Sequence, residues 1–162
     1  MIRSLVYVLG PVLAQRLRVR PMRVGTSIQV SDSLADGLSY FYAEVKRLKR
    51  LLDDLRREAD KPLFFLIDEL FRGTNNEERR KGSEAYVRAL AGGNGVGLVS
   101  THDLELTHLA ETIAGVSNFH FREEITDGRM VFDYRLRPGP CPTTNALKIM
   151  ALEGLPVGEG EV

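Results

Sequence analysis

Two adjacent carboxylates, Asp68 and Glu69, follow a continuous hydrophobic run from Leu63 to Ile67. Such a run predicts a strand buried on both faces. The C-terminal end of that strand would be the ligand edge of an α/β sheet. Nucleotide hydrolysis uses such a pair, because one carboxylate holds Mg²⁺ while the other orients the attacking water. We assign Asp68 to the first role and Glu69 to the second, although strand ends also carry Asp-Glu by chance.

A second predicted buried strand, residues 96–100, also ends in polar residues, and His102 follows it. Parallel strands meet at one edge of a sheet, so we expect His102 near the carboxylates. There an imidazole can reach a γ-phosphate or the attacking water. The alternative is a histidine close to a helix N-terminus that binds no ligand. We interpret His108 and His120 as structural residues, the first on a helix face and the second within a strand.

One amphipathic helix precedes the first of these strands. Its apolar residues recur at steps of three and four: Leu38, Phe41, Val45, Leu48, Leu52, Leu55 and Ala59. The basic cluster at residues 46–50 shares this helix with acidic residues at i,i+3 and i,i+4 spacing, which favours a solvated face over a nucleic-acid contact. We expect Pro62 to stop the helix and residues 18–31 to form a loop with a short strand.

Capping residues predict the helices that follow the two strands. Thr74 and Glu77 fit a capping box for a helix that continues to about Ala91. Asp103 can cap a short helix through Ala110.

The C-terminal third has a different pattern. Residues 116–125 and 129–136 are typical of strands, and Asp127-Gly128 between them predicts a hairpin. A last helix is expected over residues 145–152. Together these elements predict an α/β fold, with a sheet flanked by helices and a C-terminal antiparallel hairpin.

Composition bounds the class of protein. At 162 residues we expect a single domain, residues 1–162. The 22 Lys and Arg residues balance 22 Asp and Glu residues, so the net charge offers no attraction to nucleic acid or to an anionic membrane. Residues 5–14 are too short for a span of about 20 residues, and the absence of a signal-peptide pattern predicts a cytoplasmic chain. We expect Cys141 to be structural.

Four segments add a family resemblance to this interpretation. They are SDSLADGLSYFYAEV, LFFLIDELFRGTNNEER, VSTHDLEL and LRPGPCPTTNALKIMALEGLP. In this order they resemble the signature segment, the Walker B strand with its loop, the switch-histidine motif and the closing segment of the MutS family of DNA mismatch-repair ATPases. The residue sequences SYFYAEV and RLRPG are closer to those of the MutS-like branches of that family.

The resemblance implies an ABC-type ATPase head that works as a homodimer, with ATP and Mg²⁺ held between the subunits. It implies that Asp68 is the magnesium-side carboxylate, Glu69 the water-activating residue and His102 the γ-phosphate sensor. Ser39, with Gly37 before it, would approach the γ-phosphate held by the partner subunit, unless this segment is only a helix cap. Four residues would form the loop that meets the opposite subunit: Arg72, Gly73, Thr74 and Asn75.

The sequence contains no glycine-rich loop ending in Gly-Lys-Ser/Thr, which wraps the β- and γ-phosphates in P-loop ATPases. LVYVLGPVLAQ near the start resembles the family's helix immediately after that loop. We therefore expect a partial P-loop sheet, the C-terminal half of the ATPase domain, with Met1 as a late start or a truncation. The parent protein would couple ATP hydrolysis to DNA binding through domains absent here, and this chain alone would turn over ATP negligibly.

Three alternatives stay open at this point. The chain could be a non-catalytic dimerisation or regulatory module, or the head of another ABC-type ATPase, such as a chromosome-maintenance or transporter subunit. The residues Arg72-Gly73-Thr74, which follow the Asp68-Glu69 pair, argue against those other ATPases. A stand-alone Mg²⁺-dependent phosphohydrolase would use Asp68 and Glu69 without preferring nucleotides.

Overall fold

A computed structural model of the chain describes residues 18–28, 40–126, 129–142, 146–152 and 154–157. The predicted opening helix, Gly37, Ser39 and the turn residues Asp127 and Gly128 lie outside these ranges. The chain divides into two compact units, one ending at Leu106 and the other beginning at Thr107. Within the described ranges, no helix is long and apolar enough to cross a membrane.

The first unit is built on a parallel three-stranded sheet in the order β1-β2-β3. In chain order its elements are β1 (Arg23–Ser27), α1 (Tyr40–Arg56), β2 (Leu63–Asp68), α2 (Asn76–Ala91) and β3 (Gly95–Ser100). The α/β class and both predicted strands are therefore confirmed. Asp68 is in register with Ser100, so β2 and β3 end side by side.

The core of this unit lies between one face of the sheet and the two helices. Every second residue of β2 is buried there, as the period of a strand requires. The buried cluster consists of Leu48, Leu51 and Leu55 from α1, Leu63, Phe65 and Ile67 from β2, Leu70, and Tyr86 and Leu90 from α2. The predicted apolar face of α1 is confirmed in part: Leu48 and Leu55 are buried, whereas Phe41 is 36% exposed. Leu38 lies outside the described residues.

The prediction that β3 is a buried strand is wrong. Val96 is 57% exposed and Leu98 is 63% exposed. The inward positions of β3 include Gly95 and Gly97, where a Cβ on Gly97 would lie 2.2 Å from both Cδ2 and the carbonyl oxygen of Phe65. Val96 and Leu98 therefore lie on the other face, whereas Val99 packs against the core, and β3 ends the sheet order of the described strands.

The ends of the helices differ in detail from the predictions. Helix α1 ends at Arg56. The N-cap of α2 is Asn75, whose side chain accepts the Glu78 N–H at 3.0 Å, so the predicted capping box of Thr74 with Glu77 is wrong. Asparagine is a preferred N-cap residue, and Thr74 donates its hydroxyl to the Glu78 carboxylate instead, at 2.5 Å.

A 3₁₀ helix, Leu104–His108, crosses the boundary between the units, and the predicted cap is present because Asp103 accepts the Glu105 N–H at 3.1 Å. The second unit continues with α3 (Leu109–Thr112), β4 (Phe119–His120), β5 (Glu123–Thr126), β6 (Arg129–Phe132), β7 (Arg137–Pro138) and α4 (Ala146–Leu152).

Two small antiparallel pairs replace the long predicted hairpin of the second unit. β5 pairs with β6, with Thr126 opposite Arg129, which confirms a two-residue connection. β4 pairs with β7. The predicted strand over residues 129–136 ends early because Tyr134 has a left-handed φ of 55° and Asp133 accepts the Arg135 N–H at 3.0 Å in a local turn.

Candidate functional site

The candidate site lies where β2 and β3 end. The backbone pairing extends one residue beyond β2, because the Glu69 N–H donates to the Ser100 carbonyl at 3.1 Å. Asp68 and Glu69 thus stand next to Ser100, Thr101 and His102. Parallel strands bring these side chains to one edge of the sheet, where ligands bind in α/β folds.

Asp68 is held by a hydroxyl on one side and by a guanidinium on the other. Ser100 donates its hydroxyl to Oδ1 at 2.7 Å. Arg72 donates Nη2 to Oδ2 at 2.7 Å and to the Asp68 backbone carbonyl at 2.9 Å. The Ser100 hydrogen bond and then the Arg72 hydrogen bond lower the pKa of Asp68 below its ordinary value. Asp68 therefore carries a charged carboxylate at neutral pH.

Glu69 contacts both the backbone and the ring of His102. Its Oε1 accepts the His102 N–H at 2.9 Å and lies 2.8 Å from Nδ1 of the ring. Its Oε2 is 3.5 Å from the Thr101 hydroxyl, a longer contact. The Glu69 side chain is 17% exposed and that of His102 is 70% exposed. Glu69 is therefore fixed beside β3 by two donors on a single oxygen.

The backbone turns sharply at Glu69, which has a left-handed φ of 61°. Non-glycine residues rarely adopt this conformation, and where they do it is often at a functional site. Here it ends β2 within one residue of Asp68. The two carboxylates consequently have different partners although they are adjacent in the sequence.

The four predicted loop residues have different surroundings. The Arg72 side chain reaches Asp68, so it belongs to the site. Gly73 packs against α1, since a Cβ there would lie 2.7 Å from the Phe41 Cβ. Thr74 and Asn75 both bond to Glu78 at the start of α2.

Sequence reasoning gave no role to Ser100 or Thr101. It placed Glu44 on the solvated face of the helix as a partner of the basic cluster, which is wrong because Glu44 is 5% exposed. Glu44 accepts the backbone N–H groups of Phe71 and Arg72, at 2.7 and 3.1 Å. A signal for Glu44 was present, since it lies one turn from Leu48 on the apolar side of α1, where a carboxylate needs buried partners. No group of three or more His, Cys, Asp and Glu side chains suited to a metal occurs in the described part of the chain.

Comparison with known proteins identifies the family. A family model described as MutS domain V matches residues 8–158. The DNA mismatch repair protein MutS 2 of Haloarcula marismortui is 32% identical over 135 residues, which are 83% of this chain and 14% of that protein. The DNA mismatch repair proteins MutS of Nitratidesulfovibrio vulgaris and Oleidesulfovibrio alaskensis are 34% and 33% identical over 137 and 145 residues.

In both of these MutS comparisons the match covers 83% of this chain and 15% of the relative. The chain thus spans a small part of the length of the curated relatives it matches. The family model nevertheless covers nearly all of the sequence. The chain belongs to the MutS family, and its sequence corresponds to domain V.

Proposed function

We propose that this chain is the hydrolytic part of a MutS-type, P-loop ATPase domain, which acts on ATP and Mg²⁺ and serves DNA mismatch repair within a longer protein. The observation that carries this proposal is the contact of Glu69 with His102 at the sheet edge, beside Asp68. The names of the relatives, which describe DNA mismatch repair proteins, support the biological context.

Asp68 fits the role of a magnesium-side residue. Its lowered pKa keeps it charged, and Mg²⁺ takes hard oxygen ligands. Mg²⁺ commonly uses one or two carboxylates and completes its shell with phosphate oxygens and water, so a single protein carboxylate is sufficient. When bound, the ion would neutralise charge on the β- and γ-phosphates.

Glu69 fits the role of the residue that orients water. Its Oε1 is engaged by the N–H and the ring of His102, whereas Oε2 has only the long Thr101 contact. We assign Oε2 to the attacking water, because a general base must accept a hydrogen bond from its substrate.

His102 fits a sensor of the γ-phosphate under one chemical condition. A ring that donates from Nδ1 to Glu69 can also donate from Nε2 only when it carries both protons. His102 would then present a positive donor to the phosphate while holding Glu69 in place.

The remaining expectations concern the partner subunit. Ser39 and Gly37 would approach the γ-phosphate bound by the partner, and residues 72–75 would face the opposite subunit of a homodimer. DNA contacts would come from other regions of the longer protein, since the 22 positive and 22 negative residues here give no net attraction.

The test is a chimera in which residues 8–158 replace the matched region of the Nitratidesulfovibrio vulgaris relative. We expect ATP turnover that falls by roughly 100-fold or more in Glu69→Gln, the range of general-base loss. The matched control is Glu77→Gln, on the exposed start of α2. Equal turnover in the two variants would overturn the proposal.

The chain alone provides a second arm. It has no Gly-Lys-Ser/Thr segment, so we expect no turnover above that of Glu69→Gln, and robust Glu69-dependent turnover would contradict this. Sedimentation equilibrium with and without ATP tests whether dimerisation of the chain depends on ATP. Dimerisation that is independent of ATP, without turnover in the chimera, would indicate a non-catalytic dimerisation module.

A further inference from the structure

One carboxylate outside the site is almost fully buried. Glu44, in the second turn of α1, is 5% exposed. Its two oxygens accept separate backbone donors, Oε1 from Phe71 at 2.7 Å and Oε2 from Arg72 at 3.1 Å. Burial of a carboxylate is costly unless such hydrogen bonds compensate it. The contact therefore joins α1 firmly to the loop that follows β2.

The loop backbone is shaped to receive an anion. Phe71 has a left-handed φ of 54°, and Glu69 two residues earlier has a φ of 61°. A left-handed residue in a turn can direct successive N–H groups to one side, where they bind an anion. In this chain the N–H groups of Phe71 and Arg72 both donate to the carboxylate of Glu44. The left-handed conformation is unfavourable for a residue as large as phenylalanine, so surrounding contacts must hold it.

Two further contacts hold the loop. The Phe71 ring packs edge-on against Tyr86 of α2, with ring centroids 6.1 Å apart. Gly73 passes so close to α1 that a Cβ would lie 2.7 Å from the Phe41 Cβ. Phe41 and Glu44 are one helical turn apart, so the loop meets α1 at two points on the same side of the helix.

Arg72 connects this contact to the candidate site. Its backbone N–H is bound by Glu44, and its guanidinium bonds to both the side chain and the backbone carbonyl of Asp68. We propose that Glu44 is a positioning residue that fixes the Arg72 backbone, so that the guanidinium stays on Asp68. Arg72 thereby links helix α1 to the carboxylate edge.

A functional consequence follows, and it rests on the proposed function. Ser39, assigned to the nucleotide of the partner subunit, immediately precedes α1 in the sequence. Arg72 begins the loop assigned to the opposite subunit. Glu44 would therefore link α1, which follows Ser39 in the sequence, to the Arg72 loop that holds Asp68.

The test measures the loop in the 162-residue chain by NMR. Glu44→Gln keeps the size of the side chain but replaces one acceptor oxygen by an NH₂ donor, which faces a backbone N–H. We expect the amides of Phe71 and Arg72 to exchange with solvent roughly tenfold faster or more, as loss of a hydrogen bond to a charged acceptor implies. We also expect faster rotation of the Arg72 guanidinium, because its backbone is released.

The matched control is Tyr86→Phe, which removes another buried hydrogen bond to α1, from the Tyr86 hydroxyl to the Leu48 carbonyl. A merely structural role of Glu44 predicts that both variants release Arg72 equally. The proposal predicts release in Glu44→Gln alone. Should Glu44→Gln fail to fold, Glu44→Asp keeps the charge but is one methylene short, and the same measurement applies.

Unchanged exchange of the Arg72 amide, or unchanged guanidinium rotation, in the Glu44 variant would overturn the proposal. Equal release in Tyr86→Phe would overturn it too. None of these measurements uses nucleotide, so their result does not depend on the outcome of the ATPase test in the chimera. Conversely, a rigid Arg72 in Glu44→Gln says nothing against the roles of Glu69 and His102.

Discussion

Glu69 and His102 are 33 residues apart in the sequence, yet the Glu69 Oε1 accepts the His102 N–H at 2.9 Å and lies 2.8 Å from its Nδ1. The backbone contact depends on the ends of two paired strands, and the ring contact depends on the imidazole itself. Substitution of His102 removes only the second. The two contributions can therefore be separated by mutation.

A double-mutant cycle of Glu69→Gln and His102→Ala measures the ring contact. We expect a coupling free energy of about 0.2–1 kcal/mol from urea unfolding, the range for an exposed polar contact. One partner of this contact is open to water, since the His102 side chain is 70% exposed. A coupling free energy of zero would contradict the ring contact.

The close approach of β3 to β2 gives a second prediction. A Cβ on Gly97 would lie 2.2 Å from the Phe65 carbonyl, a backbone atom that cannot rotate away. We expect Gly97→Ala to lower the free energy of unfolding by about 2–3 kcal/mol, as overpacking does.

Gly92→Ala is the control for Gly97→Ala. Gly92 has a φ of −82° and the nearest atom to its Cβ would be 3.9 Å away. Its free energy of unfolding should change by less than about 0.5 kcal/mol. Thermal and urea unfolding compare the two variants, and equal losses would show that β3 does not pack this closely.

Part of this site could be predicted from the sequence alone. Asp68, Glu69 and His102 each follow an apolar run, and parallel strands end at one edge, so their meeting needed only the strand assignment. The burial of β3 could not be predicted, because the run that contains Val96 and Leu98 does not show which face the helices cover.

The loop after β2 was also beyond sequence reasoning. Its path depends on a left-handed residue, and glycine is the usual sequence signal for that conformation. Here Phe71 adopts it with a φ of 54°. The contacts of Arg72 with Asp68 and Glu44 follow from this turn, so they become evident only in three dimensions.

The exposed face of β3 gives a third prediction. Leu98 is already 63% exposed, so Leu98→Ala should cost less than about 1 kcal/mol. Leu63 is 2% exposed in the core, so Leu63→Ala should cost about 2–5 kcal/mol. Urea unfolding of both variants in the same buffer makes the comparison. A large loss in Leu98→Ala would mean that this face of β3 is covered in solution.

Tyr86 gives a prediction about alkaline pH. It is buried, and its hydroxyl donates to the Leu48 carbonyl at 2.7 Å. Burial raises the pKa of Tyr86 above its ordinary value of 10.0. Because the folded state favours the protonated phenol, its contribution to stability is complete below pH 10.0 and is lost as pH rises further, towards the raised pKa.

The effect of Tyr86→Phe on the free energy of unfolding should therefore differ below and above pH 10.0. At pH 7 it should lower the free energy of unfolding by about 1–3 kcal/mol, because the Leu48 carbonyl is left without its donor. Above pH 10.0 the wild-type chain should lose stability more steeply than the variant, so the difference between their free energies of unfolding should narrow.

Tyr134→Phe controls for loss of a hydroxyl, since Tyr134 is 83% exposed. At pH 7 it should change the free energy of unfolding by less than about 0.5 kcal/mol. Urea unfolding at about pH 7, 9, 10 and 11 spans the ordinary phenol pKa. A constant gap in the free energy of unfolding between wild type and Tyr86→Phe would contradict the raised pKa.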